Sequence, residues 1–364
     1  MRIIRLKGFF CIFSLPIFLA CTSSQNSFQG KIYHPKTKDG SRLSLEFFPS
    51  SRSFTRKNPV ILCHGLAANR IYFKINGENS LVSILQDQGF DVYLLELRGR
   101  NLAGAPGLWF GKKLYDYNFD DYVKEDVDTA ISEVLQLSKS DQVNWMGHSM
   151  GGMVAYARLG SYGEDRISNL VTLGSPFFFP EPNKTFQTWH NFSFLSYIIP
   201  VIPTENLASI RQRISLLKYT EAGLSKMIYY EPNIESDVLA RLRFESVNNI
   251  SPKEIRQFSD WVEDGMVASA DKKIIYSYNL SKIQIPTLVV WGTRDNLSPS
   301  HVTRKAFHEL SSKDKAIHIA GRSQGHSEDY GHTDLLIGRK AAEEVLKPAV
   351  AWLVARNKMM KVNQ

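Results

Sequence analysis

Val143 to Tyr156 reads VNWMGHSMGGMVAY: a short apolar run, a serine framed by glycines in GxSxG spacing, and a run of helix formers. Ser149, at the centre of the frame, is the candidate nucleophile. A strand that turns at once into a helix with a serine at its apex leaves no room for side chains two places to either side, and Gly147 and Gly151 stand there. By itself the pattern also fits an ordinary glycine-rich turn, so the flanks decide. Gln142 to Met146 predicts a short buried strand, and Met150 to Leu159 carries apolar residues at helical spacing, which together make the strand, turn and helix such a serine requires.

Outward from that stretch, Pro59 to Cys63 (PVILC), Asp91 to Leu97 (DVYLLEL), Ile167 to Leu173 (ISNLVTL), Pro286 to Trp291 (PTLVVW) and Ala316 to Ile319 (AIHI) are short apolar runs bounded by Gly, Pro or Asp. Continuous apolar runs predict strands covered on both faces. Within Ser41 to Phe48, Leu43, Leu45 and Phe47 alternate with polar neighbours and predict a half-exposed strand. Helical patterns fall at Ser80 to Gln88, Phe119 to Leu137, Pro299 to Leu310 and Asp334 to Ala355. Strand and helix alternate, which predicts a doubly wound, mostly parallel α/β core over residues 40–175 and 271–364. The alternation breaks over 176–270, where Trp189, Phe192, Phe194, the YIIPVI of Tyr197 to Ile202 and the MIYY of Met227 to Tyr230 give far more apolar surface than a loop carries. A structureless loop of that length would contradict the assignment, so the block is expected to be a helical cap, with part of its apolar face lining an acyl pocket and part packing on itself.

A serine hydroxyl is a poor nucleophile near neutral pH. It needs a base to take its proton, a carboxylate to hold that base, and N–H donors for the oxyanion. Asp295 follows a predicted strand in Gly292-Thr293-Arg294-Asp295-Asn296, and the loop Gly321 to Thr333 holds two histidines, His326 and His332. Serine, aspartate and histidine in that chain order form one of the known arrangements.

Four places carry a family resemblance: His64-Gly65 after a strand, the GHSMG of Gly147 to Gly151, the GTRD ending at Asp295, and Tyr330 to Leu335 at the head of the last helix. Together they resemble the α/β hydrolases, most closely the lipase and esterase branch that includes acid lipases, from about Val60 to Leu353. The resemblance implies an α/β-hydrolase fold and puts the base at His332, because the family's GHxDL pattern falls on Gly331 to Leu335. It implies an oxyanion hole from the backbone N–H groups of Met150 and of Leu66, although a single glycine at His64-Gly65 differs from a GGG run. His64 and His148 are expected to shape the backbone, and Arg98-Gly99-Arg100 to pair with carboxylates. The implied chemistry is hydrolysis of lipid-like carboxylic esters through an acyl-enzyme on Ser149, with no cofactor or metal. Acyl transfer on the same triad is one alternative, and a non-catalytic binding lipoprotein on a hydrolase fold is another.

With 364 residues, 43% hydrophobic and 22% charged, the chain can bury a large core. Of the net charge of +8, Arg2, Arg5 and Lys7 fall in a leader expected to be removed, and the remaining +5 is diffuse. There is no basic stripe with interleaved aromatics, no GxGxxG and no HExxH or CxxC spacing, so nucleic-acid, dinucleotide and zinc readings have no motif to rest on. The GLWFGKK of Gly107 to Lys113 lacks the spacing and the Ser/Thr of a phosphate loop. Met1 to Lys7 is basic and Gly8 to Ala20 is an apolar run too short to span a bilayer, so residues 1–20 predict a secretory signal. Phe18-Leu19-Ala20-Cys21 resembles a bacterial lipobox, with Phe18 in place of the usual leucine. That implies lipidation of Cys21, a polar tether over 21–39 and anchorage in a bacterial cell envelope. Cys63 then remains as a buried, unpaired cysteine.

Overall fold

The apolar runs assemble into an eight-stranded sheet in the computed structural model, which describes residues 29–52, 57–104, 115–179, 204 and 227–357. The signal segment, Cys21 and residues 22–28 of the tether, and much of the expected cap, including Trp189 to Ile202, lie outside the described residues, whereas residues 29–39, expected as tether, are described and hold the strand Lys31–Tyr33. The strands are β1 (Lys31–Tyr33), β2 (Ser44–Phe48), β3 (Val60–Cys63), β4 (Val92–Glu96), β5 (Val143–His148), β6 (Ile167–Leu173), β7 (Thr287–Gly292) and β8 (Lys315–Ala320), in the order β1-β2-β4-β3-β5-β6-β7-β8. From β4 to β8 all pairings are parallel, whereas β1 and β2 join antiparallel at one edge.

The helices are α1 (Leu81–Asp87), α2 (Val127–Ser138), α3 (Met150–Tyr162), α4 (Ser236–Glu245), α5 (Pro252–Asp264), α6 (Ser300–Glu309), α7 (Asp334–Ile337) and α8 (Lys347–Arg356). Alternate residues of each central strand enter opposite cores. Ile61, Leu95, Trp145 and Val289 pack with α2, α3 and α6, while Leu62, Leu94, Met146 and Leu288 pack with α1, α7 and α8. Burial on both faces is why these strands read as continuous apolar runs.

Three sequence expectations need correction, the first at β8, where the apolar run of Ala316 to Ile319 predicted cover on both faces but the strand is the sheet's edge and partly exposed from Lys315 to Ile319. β2 is not half-exposed: Glu46, on its polar side, is fully buried and accepts 2.7 Å bonds from Arg70 and Lys74, whose helical turn covers that side. The last helical pattern is not continuous either, since Gly338 ends α7 in extended backbone before the chain re-enters helix towards α8.

The stretch expected to form the cap contributes α4 and α5, and its described residues hold isolated bridges but no strand. Ser251 and Glu254 form a reciprocal capping box at the start of α5, with Pro252 in the first turn. Glu254 also pairs at 2.9 Å with Arg100 from the loop after β4, and both side chains are fully buried. Arg98 in the same loop pairs with Asp126, so this loop does bind carboxylates as expected.

Candidate active site

β5 ends at His148 and α3 begins at Met150, so Ser149 alone makes the turn, at φ 54° and ψ −123°. Such backbone costs an L residue about 1–3 kcal/mol and persists only where its surroundings enforce it. Here the Ser149 N–H donates to the Leu173 carbonyl at 2.8 Å, and the Ser149 carbonyl accepts from Gly152 and Met153. A Cβ on Gly147 would sit 2.3 Å from the Gly151 backbone, and one on Gly151 2.1 Å from the Cys63 carbonyl oxygen. The glycine frame is therefore a packing requirement.

The parallel strands deliver the other two candidates to the same end of the sheet. Asp295 follows β7 and is buried, and its Oδ1 accepts from the N–H groups of Leu297 (3.0 Å) and Ser298 (2.8 Å). His332 Nδ1 lies 2.9 Å from Asp295 Oδ2 and 3.1 Å from Oδ1. A carboxylate oxygen accepts, so Nδ1 carries the hydrogen and Nε2 is left to take a proton. His332 and Ser149 line one cavity. Gly174, which the sequence reading passed over, stands at φ 57° where a Cβ would be 2.9 Å from Asp295 Oδ2 and 3.1 Å from His332 Nδ1.

The rival residues go elsewhere. His326 turns its Nδ1 to Gly321 in its own loop, and Asp329 accepts from Thr293 and the Arg322 N–H. Asp334 is a clamp that the sequence reading did not assign: it accepts from the N–H groups of Gly331 (2.8 Å) and Tyr230 (3.0 Å) and from Asn233 Nδ2 (3.0 Å). Burial pushes its carboxyl up to about 6 in spite of these donors. Tyr72 OH and the Ile228 carbonyl hold the backbone of Thr333 from two other sides.

Two more histidines act as struts. His64 Nδ1 donates to the Gly65 carbonyl at 2.9 Å and its Nε2 accepts from the Leu97 N–H, with burial and Arg100 pushing its pKa down to about 3. His148 Nε2 is 3.0 Å from the His332 carbonyl oxygen, and the two rings lie 4.7 Å apart. Cys63 is buried, and burial followed by nearby Asp126 holds its thiol well above the usual range.

The loop after β3 lies against Ser149, since a Cβ on Gly65 would be 2.9 Å from Ser149 Cβ. Leu66 from this loop lines the cavity, and Met150 is the first residue of α3, where a helix leaves its N–H groups unpaired. Neither N–H has a backbone acceptor among the described residues. Arg70, just beyond, ties the loop to buried Glu46 and Glu96, a fixing that the sequence reading did not foresee.

The cavity holds about 350 Å³ and is walled mainly by apolar side chains, among them Met153, Phe179, Met227, Leu242, Ile250, Phe258 and Val262. Arg243 is the lining residue with a permanent charge, and it donates to Tyr229 OH. Among the described residues no group of three or more His, Cys, Asp and Glu is placed to hold a metal ion, and no helix is long and apolar enough to cross a membrane.

The alpha/beta hydrolase fold family matches residues 58–332. The chain is 24% identical to triacylglycerol lipase 1 of Arabidopsis thaliana, over 95% of this chain and 96% of that protein. It is 22% identical to a poly(3-hydroxyalkanoate) polymerase subunit of Haloferax mediterranei, over 87% of this chain, and spans 62% of that protein's length. Among solved structures, a monoacylglycerol lipase of Paleococcus ferrophilus superposes with a TM-score of 0.55 at 20% identity, over 86% of this chain and 99% of that one. The family match runs through β3, the Ser149 turn, Asp295 and His332, on a sheet of the order described above; the chain belongs to the alpha/beta hydrolase fold family, with lipases among its relatives.

Proposed function

We propose that this protein is a serine hydrolase that cleaves carboxylic esters of apolar, lipid-like substrates through an acyl-enzyme. The observation that carries the reading is the placement of Ser149 at a strained turn on an apolar cavity that His332, itself held by Asp295, also lines. In this reading His332 Nε2 takes the Ser149 proton as Oγ attacks the ester carbonyl, and Asp295 stabilises the imidazolium. The N–H groups of Leu66 and Met150 receive the oxyanion, the leaving alcohol takes its proton from His332, and water then releases the acid. The lipases among the relatives support an apolar ester, and residues 176–270 are proposed as the cap over it.

The test is hydrolysis of p-nitrophenyl esters from short to long acyl chains by the protein starting after Cys21 and by its Ser149→Ala variant. Turnover that vanishes in the variant supports the reading, whereas no turnover together with no labelling of Ser149 by a fluorophosphonate sinks it. The polymerase subunit among the relatives keeps acyl transfer as the second reading, which ester formation in the presence of added alcohol would reveal. We also propose that Cys21 is lipidated and anchors the protein in a bacterial envelope, on the strength of the FLAC stretch at Phe18 to Cys21.

A further inference from the structure

Two consecutive main-chain carbonyls, those of His332 and Thr333, each meet a buried side chain from another element. The His332 carbonyl oxygen is 3.0 Å from His148 Nε2, and the Thr333 carbonyl accepts from Tyr72 OH at 2.8 Å. Both side chains are buried, and their rings pack 5.0 Å apart.

The two donors stand on elements that flank Ser149. His148 ends β5 and directly precedes Ser149. Tyr72 belongs to the helical turn Arg70–Phe73, just beyond the loop that carries Leu66. That turn is itself fixed: Asn69 accepts from the Ile71 N–H at 2.9 Å and donates to the Glu245 carbonyl at 2.8 Å, while Arg70 pairs with Glu46 and Glu96. The main chain of His332 is thus pegged to the serine turn on one side and to the Leu66 loop on the other.

Both pegs keep their hydrogens. A carbonyl oxygen only accepts, so His148 Nε2 carries the hydrogen. Burial, and then His332, holds the His148 ring well below the ordinary imidazole range, so it stays neutral. A neutral ring 4.7 Å from that of His332 does not oppose a positive charge there. Burial likewise holds the Tyr72 hydroxyl well above its ordinary range, so it remains a donor. Asp295 fixes one edge of the His332 ring, and the main chain sets where the other edge stands. A displacement of about 1 Å at a reacting group costs about 10²-fold in rate.

We propose that His148 and Tyr72 are positioning residues for His332, holding its main chain so that Nε2 stays within reach of Ser149. They act on the rate of the reaction as well as on folding. This rests on the ester hydrolase reading of the same site.

The test measures kcat and KM on a p-nitrophenyl ester, and the rate at which a fluorophosphonate labels Ser149, in the wild type, Tyr72→Phe, His148→Met and His148→Gln. Glutamine carries an amide N–H as many bonds from the main chain as histidine Nε2, whereas methionine has a similar length and no donor. Tyr72→Phe and His148→Met are expected to lower kcat and the labelling rate about 10- to 100-fold with KM little changed. His148→Gln should recover at least about tenfold over His148→Met. Once one peg is lost the segment has already moved, so the double variant Tyr72→Phe/His148→Met should fall short of the product of the single losses by about fivefold or more. A purely structural role would lower Tm and leave the kcat and labelling rate of the folded variants unchanged. Folded variants with wild-type kcat and labelling rate, or a His148→Gln no faster than His148→Met, overturn the proposal while the hydrolase reading stands. Tyr72→Phe, which removes a single oxygen, decides the matter if a His148 variant does not fold. A wild type that neither turns over the ester nor takes up the label ends the hydrolase reading and this proposal with it.

Discussion

At Ser149 a strained backbone is held by neighbours that cannot yield, because the clashes that fix the glycine frame are with main chain. Gly151→Ala would drive its methyl into the Cys63 carbonyl of β3, which no rotamer change relieves. The expected outcome is a loss of about 1–3 kcal/mol or more, seen as a lower Tm, together with loss of fluorophosphonate labelling as the turn shifts. Asp295→Asn tests a different matter. An asparagine amide can donate to His332 Nδ1, which would move the hydrogen to Nε2 and remove the base. A fall in kcat of about 10⁴-fold with an unchanged circular dichroism spectrum is expected. Ser149, Asp295 and His332 were legible as candidates because strands of a parallel sheet all present their C-terminal ends on one side and the GHxDL pattern of the family resemblance singled out His332 over His326. Gly174 and Asp334 were not, since each matters through contacts made by distant parts of the chain.

The element that joins the core to the inserted segment is α5. Its Glu254 and Arg100 form an ion pair with no exposure, and Tyr122 OH adds a 2.7 Å bond to the same carboxylate. Removing one partner of such a pair strands the other charge, so Glu254→Ala is expected to cost about 3–5 kcal/mol by chemical denaturation. The central strands β3 to β7 were legible to within two residues because apolar runs covered on both faces stand out from their polar surroundings. β1 escaped because three residues at a sheet edge, mostly exposed, carry no pattern. β2 was placed correctly and given the wrong exposure, because alternation records which residues are polar and not whether a basic helical turn will cover them. Helical spacing ran through Gly338 because period alone does not register the break there.

Across the molecule, buried carboxylates set how stability follows pH. The Asp334 carboxyl rises from an ordinary 3.8 to about 6, so its protonated form suits the folded state better than the unfolded one. Its contribution to stability is full below 3.8 and is lost as pH rises through about 6. Asp126 is raised to about 6 by burial as well, but it remains in an Asp334→Asn variant and cancels in the comparison. The Tm of the wild type relative to Asp334→Asn should therefore fall between pH 3.8 and about 6, measured by scanning calorimetry at each pH.

The wall of the cavity and His332, the proposed base, share one set of backbone bonds. Ile228 accepts from the Thr333 N–H, Tyr230 donates to Asp334, and Met227 to Tyr229 face the cavity, so the wall cannot shift without pulling on His332. Discrimination against ill-fitting guests then falls on turnover: a branched acyl chain that pushes this wall aside still binds but meets a displaced base. Its penalty should appear in kcat with KM little changed, which steady-state rates on linear and branched esters of equal carbon number would reveal.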